Sequence, residues 1–426
     1  MSEPTVRDRL DELPDVVLVG GYIVAIWLTM VVLARVVGGS QWPNLAAGFV
    51  GSVTVLIGAY AVLTLALNLQ WGYTGLFNIG VAGFMAVGAY TMAILTAPVD
   101  PGAGGVPGFG LPLVVGVVGG MVVAAVVGGL AALPALRLKA DYLAIVTVAL
   151  SEIIRLFVNW SGVAEITLFG ATFGTGGATG ISFEAPDDVV AGLVTGVGSP
   201  LVAAGEAVGV SSPNLVNIAY GLALLAVVAG AYWVLTRLSN SPFGRVLKAI
   251  REDETVTQSL GKDTRLFKIK AFMIGCALMG LAGILFRGGA GYISPQQFRP
   301  AITFYVFAAL IIGGSGSNTG SILGAATFSA LLFYLPARIG ENIPLGGGGS
   351  AGNIVEAVAA LASLDPTPFV AYTVGNISTL RFVLIGVVLI YIIQNQPKGL
   401  LGHRNEPAAS VDLNERRSQP GGDSDE

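Results

Sequence analysis

Long apolar runs separated by short polar ones set the pattern of this chain. Residues 16–37, 45–67, 111–134, 213–236 and 378–395 each approach or exceed the roughly 20 residues that cross a hydrocarbon core. Backbone groups in lipid must bond to one another, so such runs read as helices. Adding the shorter runs gives ten predicted spans: 16–37, 45–67, 78–97, 111–134, 142–160, 213–236, 268–288, 301–314, 320–340 and 378–395. The third and ninth are rich in Gly, Ala and Ser, which let helices approach closely. The eighth has only about fourteen apolar residues before Gly313-Gly314-Ser315-Gly316. It reads as a short, broken or re-entrant segment, the kind of element that lines transport pathways. Residues 189–210, interrupted by Pro200 and Glu206, read as an outer surface helix, and 349–364 as another. The predicted fold class is an all-α integral membrane protein of about ten transmembrane helices.

Composition and charge sharpen that picture. Only 11% of the 426 residues are charged, against about 25% in soluble domains, too few to clothe a water-facing surface. Placing both termini in the cytoplasm makes 1–15, 68–77, 135–141, 237–267, 315–319 and the tail inner segments. With the inner span ends they hold 16 of the 22 Lys and Arg, while outer loops 161–212 and 341–377 carry eight acids and no base. This is the positive-inside pattern, and it requires an even number of crossings. The first apolar run is too long for a cleaved signal and is expected to be retained. The layout is thus a cytoplasmic segment 1–15, a transmembrane domain 16–402 and a polar, acidic tail 403–426 expected to be disordered.

The same inventory excludes several chemistries. Cys276 is the only cysteine and His403 the only histidine, so an intrachain disulfide is ruled out and a zinc or haem site is not expected. No Gly-x-x-x-x-Gly-Lys-[Ser/Thr] phosphate loop occurs; the nearest string, Gly313 to Gly320, lacks the lysine. No nucleophile has a visible general base. No catalytic residue, metal site, resident cofactor or nucleic-acid partner is predicted.

The largest inner loop, 237–267, is the most informative stretch. Ser241 before Pro242 is a helix start. Phe243, Val246, Leu247 and Ile250 share one face, with Arg245, Lys248 and Arg251 elsewhere. Gly261 suits a helix end. Such a helix needs a place for its apolar face, either lipid headgroups or a groove on a cytoplasmic partner. The admixed acids Glu252, Asp253, Glu254 and Asp263 favour the partner.

Two further stretches carry polar groups among apolar runs. In Asn68 to Gly80, with Tyr73, Thr74 and Asn78, the alternatives are a tight turn packed by small residues or unwound backbone facing a polar solute. Glu152 and Arg155 lie in one predicted span at a spacing that lets them meet. An ionised pair there orients the helix or contacts solute; Glu152 is also the single midplane acid that a stand-alone ion-coupled transporter would use.

Taken together, the strings Gly72-Tyr73-Thr74-Gly75-Leu76-Phe77-Asn78-Ile79-Gly80, Gly88-Ala89-Tyr90, Leu136 to Thr147 with Glu152, Ser241-Pro242-Phe243-Gly244-Arg245, Ala249 to Glu254, Leu260-Gly261, Ser294-Pro295, Gly313 to Ser317 and Pro397 to Leu401 resemble the LivM-type permeases of the branched-chain amino-acid ABC transport family, over about residues 45–402. That resemblance implies a multi-pass plasma-membrane importer subunit for branched-chain or related amino acids. Its expected partners are a second homologous permease, two cytoplasmic ATPase subunits that bind ATP and Mg, and an extracytoplasmic binding protein. It implies that Phe243, Gly244, Arg245, Ala249, Arg251, Glu252, Asp253 and Gly261 couple to an ATPase. Arg251-Glu252-Asp253 stands where other importers carry a Glu-Ala-Ala motif, from which it departs. The candidate pathway residues are Asn68, Tyr73, Thr74, Asn78, Glu152, Gly314 and Ser315. Related permeases for urea and short amides, or for sugars and nucleosides, are the alternatives.

Overall fold

A computed structural model describes residues 14–102, 105–138, 140–168, 170–196, 200–342, 352–362, 365–397 and 399–401. Most of the 1–15 segment, the 403–426 tail with His403, Lys139, Lys398 and parts of the loops 161–212 and 341–377 lie outside the described residues.

Helices dominate. Helix α1 (Asp15–Val37) is followed by α2 (Trp42–Leu67), which runs unbroken into a π-helical stretch, Asn68–Tyr73. Then come α3 (Val81–Thr96), α4 (Leu113–Ala135) and α5 (Ala140–Asn159). A small antiparallel hairpin follows, β1 (Ile166–Leu168) with β2 (Ala171–Phe173), Leu168 facing Ala171. The strand β3 (Ile181–Ser182) pairs with the distant β4 (Tyr292–Ile293). Helices α6 (Pro186–Thr195) and α7 (Pro200–Ala207) are bent 82° to each other. Beyond them lie α8 (Ser212–Ser239), α9 (Pro242–Glu252), α10 (Glu254–Ser259) and α11 (Thr264–Arg287). The chain continues through α12 (Ala301–Gly313), α13 (Asn318–Ala326) with a second π-helical stretch, Thr327–Tyr334, and α14 (Leu335–Asn342). It closes with α15 (Ile354–Ala362), α16 (Thr367–Gly375) and α17 (Ile377–Asn395).

Each of the ten predicted spans holds a helix, but they are not equivalent. Among the described residues, six helices are long and apolar enough to cross a membrane, or up to eight if each bent pair counts as one span. Four predicted spans fall short of that test as single helices. Helix α3 has 16 residues and α12 has 13, about 24 and 20 Å at 1.5 Å per residue, against a core of about 30 Å. Helix α5 carries Asp141, Glu152 and Arg155. Helix α17 counts only with α16, across an 87° bend. The stretch 189–210, expected as one outer surface helix, is the strongly bent pair α6 and α7. The outer helix expected at 349–364 appears as α15.

Packing explains why the short helices survive. Helix α3 is nearly all buried, wedged between α4 and α11. A Cβ on Gly88 would lie 2.4 Å from the Gly280 Cα, so only glycine permits that crossing. Around this centre sits an apolar exterior. Val114, Val118, Val122, Val126 and Leu130 form an exposed ridge on α4, and Val383, Val387 and Ile390 another on α17. Such ridges suit lipid and would be a liability in water. The last described residues return to the bundle: Leu400 N–H donates to the Ile312 carbonyl at 2.9 Å and Leu401 N–H to that of Gly313 at 3.2 Å.

Candidate translocation and coupling site

Two breaks in the helical bundle meet at one end of it. The π-helical turn after α2 lets the chain leave the helix through Thr74–Gly80; such turns recur at functional sites. Opposite it, α12 stops at Gly313. Gly314 and Gly316 take φ of +103° and +92°, a region that L side chains avoid. The chain then re-enters a helix at Asn318, capped by the Ser317 hydroxyl, which accepts from Gly320 N–H at 3.0 Å.

Asn68 ties the two breaks together. Its Nδ2 donates to the Asn318 Oδ1 at 3.1 Å, and its Oδ1 accepts from Gly316 N–H at 2.7 Å. A Cβ on Gly72 would fall 2.0 Å from that Oδ1 and 2.7 Å from the Gly316 nitrogen. Gln70 extends the network: its Nε2 donates to the Phe272 carbonyl at 2.9 Å, and its Oε1 accepts from Asn78 Nδ2 at 2.8 Å. The Asn78 Oδ1 accepts from Gly80 N–H at 2.8 Å, and Ile79 N–H donates to Thr147 Oγ1 at 2.9 Å. Asn68, Gln70 and Asn78 are 0% exposed. Unpartnered, each amide would cost about 1–3 kcal/mol; partnered, they fix the relative positions of α2, α5, α11 and α13.

The loop 237–267, the predicted coupling segment, packs directly on this network. Arg251 donates to the Gly72 carbonyl, and its Cγ stands 3.4 Å from where a Cβ on Gly75 would sit. The buried Lys248 ammonium lies 5.5 Å from the Tyr73 ring centroid. The Ser241 hydroxyl caps α9, accepting from Gly244 N–H at 3.3 Å. The destination of the apolar face corrects the sequence-based expectation. Phe243 stacks on Phe267 at 5.4 Å, and Leu247 and Ile250 are buried, so that face packs on the chain's own bundle. The amphipathic pattern was satisfied inside the protein because α8 and α11 flank the loop closely enough to bury it. What points outward is different: Arg245, Glu252, Asp253, Gly261 and the apolar side chains of Val256 and Leu260. Ala249 is half-buried. Asp253 also caps α10, accepting from Thr255 and Val256 N–H at 2.8 and 3.0 Å. Glu254 pairs with Lys268 and accepts from Thr264 Oγ1 at 3.0 Å, closing the loop onto α11.

Of the predicted pathway residues, Asn68, Tyr73, Thr74, Asn78 and Gly314 gather here, all buried. Ser315 is exposed at the turn between α12 and α13. Glu152 stands apart: its carboxylate takes a bidentate pair of hydrogen bonds from Arg155, one at 2.9 Å, and among the described residues it makes none to the amide network. Gln70, Thr147, Lys248 and Asn318 were missed from the sequence. Gln70 lay inside the quoted polar string; the others meet that string from 68 or more positions away, and nothing local marks them as its neighbours.

Comparison with known proteins fits this geometry. A family described as "Branched-chain amino acid transport system / permease component" matches residues 49–335. The high-affinity branched-chain amino acid transport system permease protein LivM of Escherichia coli is 35% identical over 298 residues, covering 69% of this chain and 65% of that protein. LivM of Salmonella typhimurium is 34% identical over the same shares. The autoinducer 2 import system permease protein LsrC of Escherichia coli is 31% identical over 122 residues, 27% of this chain and 34% of that protein. The chain thus spans just under two thirds of the length of these LivM relatives. No solved structure matches it significantly. With six long apolar helices and membrane permeases as relatives, this is a multi-pass plasma-membrane protein. Because the family match runs from α2 to the start of α14 and takes in both helix breaks and the loop 237–267, the chain belongs to the family of permease components of branched-chain amino acid transport systems.

Proposed function

We propose that this chain is the permease subunit of an ABC importer that carries branched-chain or related amino acids. On this reading it crosses the plasma membrane ten times with both termini inside and pairs with a second homologous permease. Two cytoplasmic ATPase subunits, which bind ATP and Mg, drive it, and an extracytoplasmic binding protein delivers solute. The observation that carries the reading is the Arg251 bond to the Gly72 carbonyl. A helix on the cytoplasmic surface is fastened to the turn where α2 breaks, so movement of α9 and α10 is delivered to the breaks at 68–80 and 313–317. Alternating access requires such a network to re-pair in a second arrangement. The glycines and amides would then act as the inner gate, opening when the network re-pairs.

The test is leucine uptake into vesicles holding the full complex, energised by internal ATP. The wild-type complex should accumulate leucine. Arg251→Ala should assemble normally and hydrolyse ATP while losing most uptake. Uptake equal to wild type in that variant would remove the coupling role. A sugar-like or short-amide solute is the second reading, favoured by the partial likeness to the LsrC permease; uptake of such a solute in place of leucine would select it. The bidentate Glu152–Arg155 pair weighs against a stand-alone ion-coupled carrier, which needs an acid available to bind a cation.

A further inference from the structure

Helix α5 has two faces. Ala144, Thr147, Ser151 and Val158 are buried. This face lies on α3, where a Cβ on Gly83 would come within 2.7 Å of the Ser151 Cα. On the opposite face Tyr142, Val146, Ala149, Ile153, Leu156 and Trp160 are exposed. They recur alternately four and three residues apart. That 3.5-residue period makes a seam along which two helices pack side by side. Ala149, near its middle, is small enough to let a second backbone come close.

An apolar face on a spanning helix suits lipid as well as protein, and the ridges on α4 and α17 are of the lipid kind. Charge separates the two cases. At 20 residues, α5 is about 30 Å long, the depth of the hydrocarbon core, and Glu152 lies near its middle. Among the described residues, no other helix read as a span carries a charged residue so near its middle. Arg155 pairs with it, donating from Nε to the Glu152 carboxylate at 2.9 Å, yet 39% of the Glu152 side chain stays exposed. Glu152 is three residues from Ala149 and four from Leu156, so it stands on the flank of the seam. Ionised groups at that depth are costly against hydrocarbon, and in membranes such groups face protein.

We infer that this seam of α5 is the face on which the second, homologous permease subunit docks, laying a spanning helix along Tyr142–Trp160 and closing Glu152 off from lipid. The inference rests on the importer reading, which supplies the partner, and adds where that partner sits. Of the partners in that reading, the ATPase subunits and the binding protein stay in water on either side. Only a second permease reaches the middle of the membrane, where the ion pair needs cover.

Cross-linking within the assembled importer in nanodiscs tests this. Ile153→Cys carrying a maleimide-linked benzophenone should, on illumination, join this chain to the second permease. Val387→Cys, on the α17 ridge, should give lipid adducts alone. Ala149→Trp should lower the amount of second permease recovered with this chain at least tenfold, while Ala149→Gly keeps it. Where Ala149→Trp lowers the yield of this chain itself, the Ile153→Cys product decides. Three results from a complex that still holds its second permease overturn the docking face and leave the importer standing: lipid adducts alone from Ile153→Cys, capture there of a second copy of this chain, or equal permease capture from both positions. A chain that purifies from its own membrane with no second permease beside it overturns the pairing itself.

Discussion

At the scale of single residues, a tight constraint is Gly72, whose missing side chain makes room for the Asn68 Oδ1 and the Gly316 amide. Placing a methyl group there must push the two helix breaks apart or expel the Asn68 side chain. Either course strains well-packed backbone, at a cost of about 1–3 kcal/mol. Gly72→Ala should therefore lower the unfolding temperature of the detergent-solubilised protein and abolish uptake; an unfolding curve superimposable on wild type would contradict the packing described. The sequence showed part of this site. Asn68, Tyr73, Thr74 and Asn78 stood out because polar groups are conspicuous among apolar runs. Their partners Asn318 and Thr147 did not, since a hydrogen bond across 250 or 68 positions leaves no trace in local spacing. Glu152 stood out for the same reason as Asn68 but is satisfied within its own helix.

At the scale of elements, α9 shows what an amphipathic pattern can and cannot say. The spacing of Phe243, Leu247 and Ile250 revealed a helix, and Ser241-Pro242 revealed its start. It did not reveal whether the apolar face would meet a partner or the protein's own bundle, because both present the same hydrophobic surface. The exposed apolar residues left for a partner lie on α10 and just after it. Leu260 is 75% exposed and Val256 55%, an arrangement with no benefit in a water-facing loop unless something covers it. Leu260→Glu should leave thermal stability within about 0.5 kcal/mol, as exposed substitutions do, and yet prevent co-purification of the ATPase subunits. Retention of those subunits at wild-type stoichiometry would move the docking surface elsewhere. Short helices such as α3 and α12 were also visible only in part: their apolar residues were legible, while the glycine crossings that let them end early depend on distant neighbours.

For the whole molecule, charge asymmetry supplied an orientation that helices alone do not carry, since a bundle turned upside down packs equally well. Single cysteines probe it, and Cys276, fully buried, leaves little background. A membrane-impermeant maleimide added to intact cells should label Thr167→Cys in the β1 strand and spare Ser259→Cys in α10, both exposed positions. The opposite result inverts the topology. Final assembly also has an order. Residues 400–401 bond to the carbonyls at the end of α12, so the break at 313–317 cannot be finished until the chain has been made as far as Leu401. A product truncated before that point would leave the Ile312 and Gly313 carbonyls without these donors and offer the cell's proteases a ready mark of an unfinished chain.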